Sequence, residues 1–154
     1  MSEVDIQKLT DRLRRQCSRR EYCKADILKK ALTVLDGDKE AAAKVLETLI
    51  SERYVDDLRY ATAYAREKAM ISGWGETKIR YMLSAKKIER SLVDHALTEI
   101  DSSKADSRLQ KLLENKVKSL KEDPQMRLKL IRFALGRGYK YDDVVEVIAS
   151  LTID

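Results

Sequence analysis

The residues of this chain that could do chemistry are its clustered lysines and arginines, and the chemistry would be recognition of a polyanion. Residues 78–90 carry five basic side chains (Lys78, Arg80, Lys86, Lys87, Arg90) against Glu89 alone. Residues 127–140 carry five more (Arg127, Lys129, Arg132, Arg137, Lys140) against no acid. A third cluster opens the chain: residues 8–30 hold nine Lys or Arg, with Arg15, Arg19 and Arg20 among them, against three acids. Ammonium and guanidinium groups neutralise phosphates and release condensed counterions, so a basic stripe suits nucleic acid or the acidic face of a protein. The opposite bias follows each of the first two clusters. Residues 91–101 have three acids and no Lys or Arg, and residues 141–154 have four acids and none. An acidic stripe repels nucleic acid and suits a protein contact, so a partner made of both would use both stripes.

Other chemistries find little support. Cys17 and Cys23 are six residues apart, which is neither the CxxC redox spacing nor half of a zinc knuckle, and they are expected to be reduced bystanders. His95 is the only histidine and lacks convincing co-ligands. There is no phosphate-cradling glycine loop and no nucleophile paired with a histidine, so an enzyme is not expected, nor a cofactor or metal. No apolar run approaches a membrane span, and a cytoplasmic protein with no membrane partner is expected.

The elements that must position these clusters read as helices. The chain has 154 residues with 44% hydrophobic and 37% charged side chains, five Gly and one Pro. That mixture supports a packed, charge-rich, all-α protein with little to interrupt its helices. Apolar stripes recur at helical spacing: Ile6, Leu9, Leu13; Ile27, Leu28, Ala31, Leu32; Ala42, Val45, Leu46, Leu49; Leu58, Ala61, Ala65, Ala69; Ile79, Met82, Leu83; and Ile88, Leu92, Val93, Ala96. Leu109, Leu112, Leu113, Val117 and Leu120 follow, then Leu128, Ile131 and Leu135 facing the core, then Val144, Val145, Val147, Ile148 and Leu151. Asp38 and Asp56 are placed as helix caps, and Asp123 before Pro124 marks a helix start. Gly73 and Gly75 around Trp74, and Gly136 with Gly138, are placed as helix ends.

The stripes repeat. Residues 79–83 superpose on 131–135 at an offset of 52, and at the same offset Leu92, Val93, Asp94 fall on Val144, Val145, Glu146. Residues 28–32 superpose on 79–83 at an offset of 51, with a short insertion in the first copy around Asp36, Gly37 and Asp38. Such periods mark units that cannot bury their apolar faces alone and therefore stack. The expected organisation is three tandem three-helix units, 1–55, 56–101 and 102–154, the last starting near Ser102.

The block Tyr54, Val55, Asp56, Asp57 with Arg59, Tyr60, Ala61, then Tyr64, Arg66, Gly73, Lys78, Ile79, Arg80, Leu83, Lys86 and Ile88 resembles the central signature of the RecX family. Leu135, Gly136, Arg137, Gly138, Tyr139 with Val144, Val145 and Ile148 resembles that family's third unit. Two positions depart: Lys87, where the family usually has glycine before Ile88, and Gly136, often a larger polar residue, which should loosen its helix end. The resemblance implies an elongated, curved, right-handed-type helical stack without enzymatic activity. It also implies binding in the groove of the RecA filament on DNA and inhibition of the recombinase's ATP hydrolysis, strand exchange and co-protease activity, within DNA repair and the SOS response. Weak, sequence-indifferent binding of single- or double-stranded DNA goes with it. The side chains expected to make phosphate or acidic contacts are Lys78, Arg80, Lys86, Lys87, Arg132, Arg137 and Lys140, with Arg15, Arg19 and Arg20 as a secondary patch. Tyr60, Tyr64 and Trp74 are expected to pack rather than stack on bases. A stand-alone helix-turn-helix DNA-binding regulator and a helical scaffold binding only proteins are the alternatives.

Overall fold

Aspartates and glycines punctuate a chain otherwise built of helix. The structure is a computed structural model that describes residues 2–100 and 104–151. In order, its helices are α1 (Glu3–Arg19), α2 (Lys24–Val34), α3 (Lys39–Ser51), α4 (Asp57–Met70), α5 (Glu76–Ala85), α6 (Arg90–Thr98), α7 (Ala105–Val117), α8 (Met126–Gly136) and α9 (Tyr141–Ser150), with no strand among the described residues. None of these helices is long and apolar enough to cross a membrane. Asp38 accepts the Ala41 N–H and Asp56 the Arg59 N–H, each satisfying an amide that a helix start leaves free. The start anticipated at Asp123 and Pro124 is displaced: the Asp123 carboxylate accepts the Gln125 N–H at 2.8 Å, which spends these residues on a turn, and α8 begins at Met126. The anticipated beginning at Ser102 lies outside the described residues.

Burial resolves into three apolar clusters. The first joins Leu9, Leu13, Ile27, Ala31, Val45 and Leu49; the second Tyr60, Ala61, Ala65, Ile79, Leu83 and Val93; the third Leu109, Leu113, Leu130, Ile131, Ala134 and Val144. First-helix core positions alternate in size, Leu9 and Leu13, then Ala61 and Ala65, then Leu109 and Leu113. Alanines on α4 let α6 lie close against it, and this is the most extensive helix pair. In α8 the buried stripe is Leu130, Ile131 and Ala134, whereas Leu128 and Leu135, expected in the core, are 44% and 42% exposed. Only Ile131 of the anticipated three is inside, because the buried stripe centres between Leu130 and Ala134 and leaves the other two at its edges. Cores this small leave much surface. The accessible area is 10103 Å², against about 7,900 Å² for a compact monomer of 17.7 kDa.

The repeat reappears in the backbone. Asp36, Lys87 and Gly138, each 51 residues from the next, follow the ends of α2, α5 and α8 with φ of 58°, 61° and 95°. Each middle helix thus ends with a left-handed residue, the conformation that reverses the chain and returns amides to the last carbonyls. At the second of these, Lys87 stands in a conformation that glycine adopts with less strain.

Neighbouring units are joined by the same device in two chemistries. Neither α2 nor α5 has a side-chain cap of its own. The start of α2 is capped from the next segment, where buried Asp57 accepts the Lys24 N–H at 2.8 Å, and the ion pairs Arg59–Glu21 (2.6 Å) and Lys86–Asp26 (2.8 Å) flank it. The start of α5 is capped by backbone from the third segment. Gly75 N–H donates to the Arg137 carbonyl at 2.7 Å and Thr77 N–H to the Gly138 carbonyl at 3.0 Å, while the Tyr139 hydroxyl donates to the Gly73 carbonyl at 3.0 Å.

Candidate polyanion interface

The anticipated basic residues divide into those committed to carboxylates and those left free. Arg80 donates to Asp94 at 2.6 Å and to Glu76 at 3.3 Å, and these bonds hold its guanidinium charged even more firmly than usual. Because Asp94 lies on α6, the middle and last helices of the second unit abut and neutralise each other at this point, and α6, which opens on Arg90, carries Asp94 as its one acid. Lys86 is bound by Asp26, and its ammonium is held above its ordinary range chiefly by that hydrogen bond. Burial alone would raise the Asp26 carboxyl, but the bonds from Lys86 and the Cys23 thiol outweigh it and hold it low.

Others stay available. Arg15, Arg19, Lys87, Arg132 and Lys140 are exposed and take part in no ion pair among the described residues, and Arg20 lies over the Tyr22 ring at 4.5 Å, where Lys30 also sits. The three-unit stack brings Lys78, Arg137 and Lys140 to one place, the joint between the second and third units. Lys78 Nζ lies 4.3 Å from the Trp74 ring centroid, and a Cβ placed on Gly138 would come within 2.6 Å of the Lys78 backbone nitrogen. Lys140 lines the small cavity at this joint with Trp74 and Tyr139. Arg137 reaches across it, its guanidinium donating to the Ser72 carbonyl at 3.4 Å while lying 5.0 Å from the Phe133 centroid.

Charge clustering along the sequence misses two cations of this face. Lys68 lies 4.9 Å from the Trp74 centroid and Lys116 4.8 Å from that of Phe133. The signal that marks them is an offset of 48 residues between the first helices of the two units, which pairs Ala61 with Leu109, Ala65 with Leu113 and Lys68 with Lys116; the middle and last helices repeat at 52. The face therefore holds two aromatic rings, each with two cations above it, and among the described residues neither Lys68, Lys78, Lys116 nor Arg137 has a carboxylate partner. Trp74 also packs against the second core: Tyr64 forms a T-shaped pair with it at 6.3 Å and Tyr60 stacks on Tyr64 at 5.9 Å. Burial raises the Tyr60 hydroxyl to about 12 and the Cys23 thiol to about 11, so both stay protonated and unreactive at neutral pH. Both cysteines are free, and His95 lies on the surface 3.9 Å from Glu99. Among the described residues no group of His, Cys, Asp and Glu could hold a metal ion.

Comparison with known proteins matches this arrangement to one family. Family models described as RecX, second three-helix domain, and RecX, third three-helix domain, match residues 56–97 and 105–148. A regulatory protein RecX of Vibrio campbellii is 30% identical over 129 residues, which is 82% of this chain and 81% of that relative. One of Clostridium tetani is 30% identical over 118 residues, 74% of this chain but 54% of its own length, so the chain spans about half of such clostridial relatives. A crystal structure of regulatory protein RecX superposes with a TM-score of 0.83 at 25% identity, over 96% of this chain and 72% of that one. RecX from Lactobacillus salivarius superposes equally well, TM-score 0.83 at 22% identity over 97% and 98%, a likeness of fold.

Proposed function

The chain belongs to the RecX family, and from that premise we propose that it regulates the RecA recombinase by binding the RecA filament on DNA. On this reading it inhibits ATP hydrolysis, strand exchange and co-protease activity, and so tempers DNA repair, recombination and the SOS response in the cytoplasm. Three units, 1–55, 56–101 and 102–154, act as one ligand for a helical groove. The observation that carries the reading is the face at the joint of α5 and α8, where Lys68, Lys78, Lys116 and Arg137 carry charge that no carboxylate among the described residues neutralises. A filament groove offers phosphate to such a face and protein surface to the acidic α9, with its Asp142, Asp143 and Glu146. DNA binding by this face is weak, salt-sensitive and indifferent to sequence, since phosphate contacts position a protein without reading bases.

A sequence-reading regulator fits less well. Its recognition helix would be α5, whose central Arg80 is held by two carboxylates and is not presented to base edges. The test adds the chain at substoichiometric levels to a cognate RecA turning over ATP on single-stranded DNA. Slowed turnover that fades as salt rises is the expected result, and unchanged turnover across the salt series refutes the reading.

A further inference from the structure

The loop Gly73–Gly75 holds the chain's only tryptophan in an unusual setting. The Trp74 segment is held in place: its backbone N–H donates to the Lys68 carbonyl at 2.8 Å, Tyr64 and the indole pack in a T-shaped pair, and the Tyr139 hydroxyl anchors the preceding Gly73 carbonyl. Above the ring lie two ammoniums, Lys68 and Lys78, neither of them bound to a carboxylate among the described residues. Trp74 is part-exposed and lines the cavity at the joint with Gly75, Tyr139 and Lys140, so its ring is accessible from solvent. A phosphate is a better partner for both ammoniums than an aromatic face. The ring they would leave is flat, rigidly held and half-buried.

We propose that Trp74 is a stacking platform for a base of single-stranded nucleic acid, with Lys68 and Lys78 moving off the indole to take the flanking phosphates. Sequence-indifferent binding of single strands relies on this pairing of aromatic rings with a basic track, because every base has a π-face. The track continues across the joint. Arg137, hydrogen-bonded to Ser72 beside the loop, leads to Phe133, where it and Lys116 repeat the arrangement. Duplex DNA, its bases already stacked, would use the cations alone. The proposal rests on the filament reading above and assigns the contact that the chain makes with the strand.

Because Trp74 is the sole tryptophan, the intact chain reports on the site directly. Oligothymidylate is titrated into the full chain at low salt while tryptophan emission and the anisotropy of a labelled oligonucleotide are followed together, with inorganic polyphosphate as the base-free control. The expected result is saturable quenching by oligothymidylate and none by polyphosphate. Trp74→Leu should lose about tenfold in affinity and Trp74→Phe much less. Binding that leaves Trp74 emission unchanged, or equal responses to both polyanions, overturns the stacking assignment while leaving the filament reading standing. Absence of any oligonucleotide binding overturns it as well, and ATP turnover by RecA then decides the filament reading separately. Should Trp74→Leu fail to fold, the emission of the unaltered chain still decides between stacking and charge alone.

Discussion

Gly75 and Gly138 meet across the joint of the second and third units so closely that neither could carry a side chain. A Cβ on Gly75 would come within 2.6 Å of the Gly138 carbonyl carbon, and one on Gly138 within 2.6 Å of the Lys78 nitrogen. Both obstacles are backbone and cannot swing aside, and Gly138 also has a φ of 95°.

Gly138→Ala should therefore cost about 3 kcal/mol, from strained backbone plus overpacking, and open the joint. Gly136→Ala is the matched control. Gly136 lies in the last turn of α8 with nothing near its missing Cβ, so alanine should stabilise by about 0.5–1 kcal/mol. Urea midpoints of the two variants, moving in opposite directions, check the pair.

Lys87 holds a φ of 61° at a helix end where glycine is the less strained choice. Lys87→Gly should raise stability by about 1 kcal/mol, or about 3 °C in Tm for a chain of this size. It should leave the joint face unaltered, since Lys87 is exposed and lies at the other end of α5 from Gly75. A fall in Tm measured by calorimetry would refute the assigned conformation.

The two joints should differ in their response to acid. The Asp26 carboxyl is held below its ordinary 3.8, so its bond with Lys86 stabilises the first joint above that pH and fails as pH falls through the lowered value. The second joint is made of backbone amides and a tyrosine, none of which titrates there. Hydrogen exchange followed down an acid series should release the Ile27 amide, in the first turn of α2 beside Asp26, before those of Gly75 and Thr77. Simultaneous release would mean that the first joint does not depend on its carboxylates.

Much of the fold is legible in the residues, and the failures have physical causes. Repeat offsets and the capping aspartates Asp38 and Asp56 lead to the helices because local hydrogen bonding decides them. Periodicity misplaces Leu128 and Leu135 because a three-residue set on a short helix fits more than one rotational phase, and only packing against α7 and α9 selects it. Charge counting finds Lys78 and Arg137 but cannot tell that Arg80 and Lys86 are held by Asp94 and Asp26, which lie 14 and 60 residues away along the chain. Lys68 and Lys116 escape it because each lies outside the basic runs and joins a patch only when its unit folds and sets it over Trp74 or Phe133.

In the proposed function the joint face, rather than the basic middle helix as a whole, acts on the filament. The direct measurement is inhibition of DNA-dependent ATP turnover by RecA, comparing Lys78→Glu with Lys116→Glu combined against Arg80→Glu, each checked for unchanged helicity. We expect the combined change to weaken inhibition by about 100-fold, tenfold for each reversed contact, and Arg80→Glu to do far less. Inhibition that survives the combined change, or that Arg80→Glu abolishes, would contradict the account.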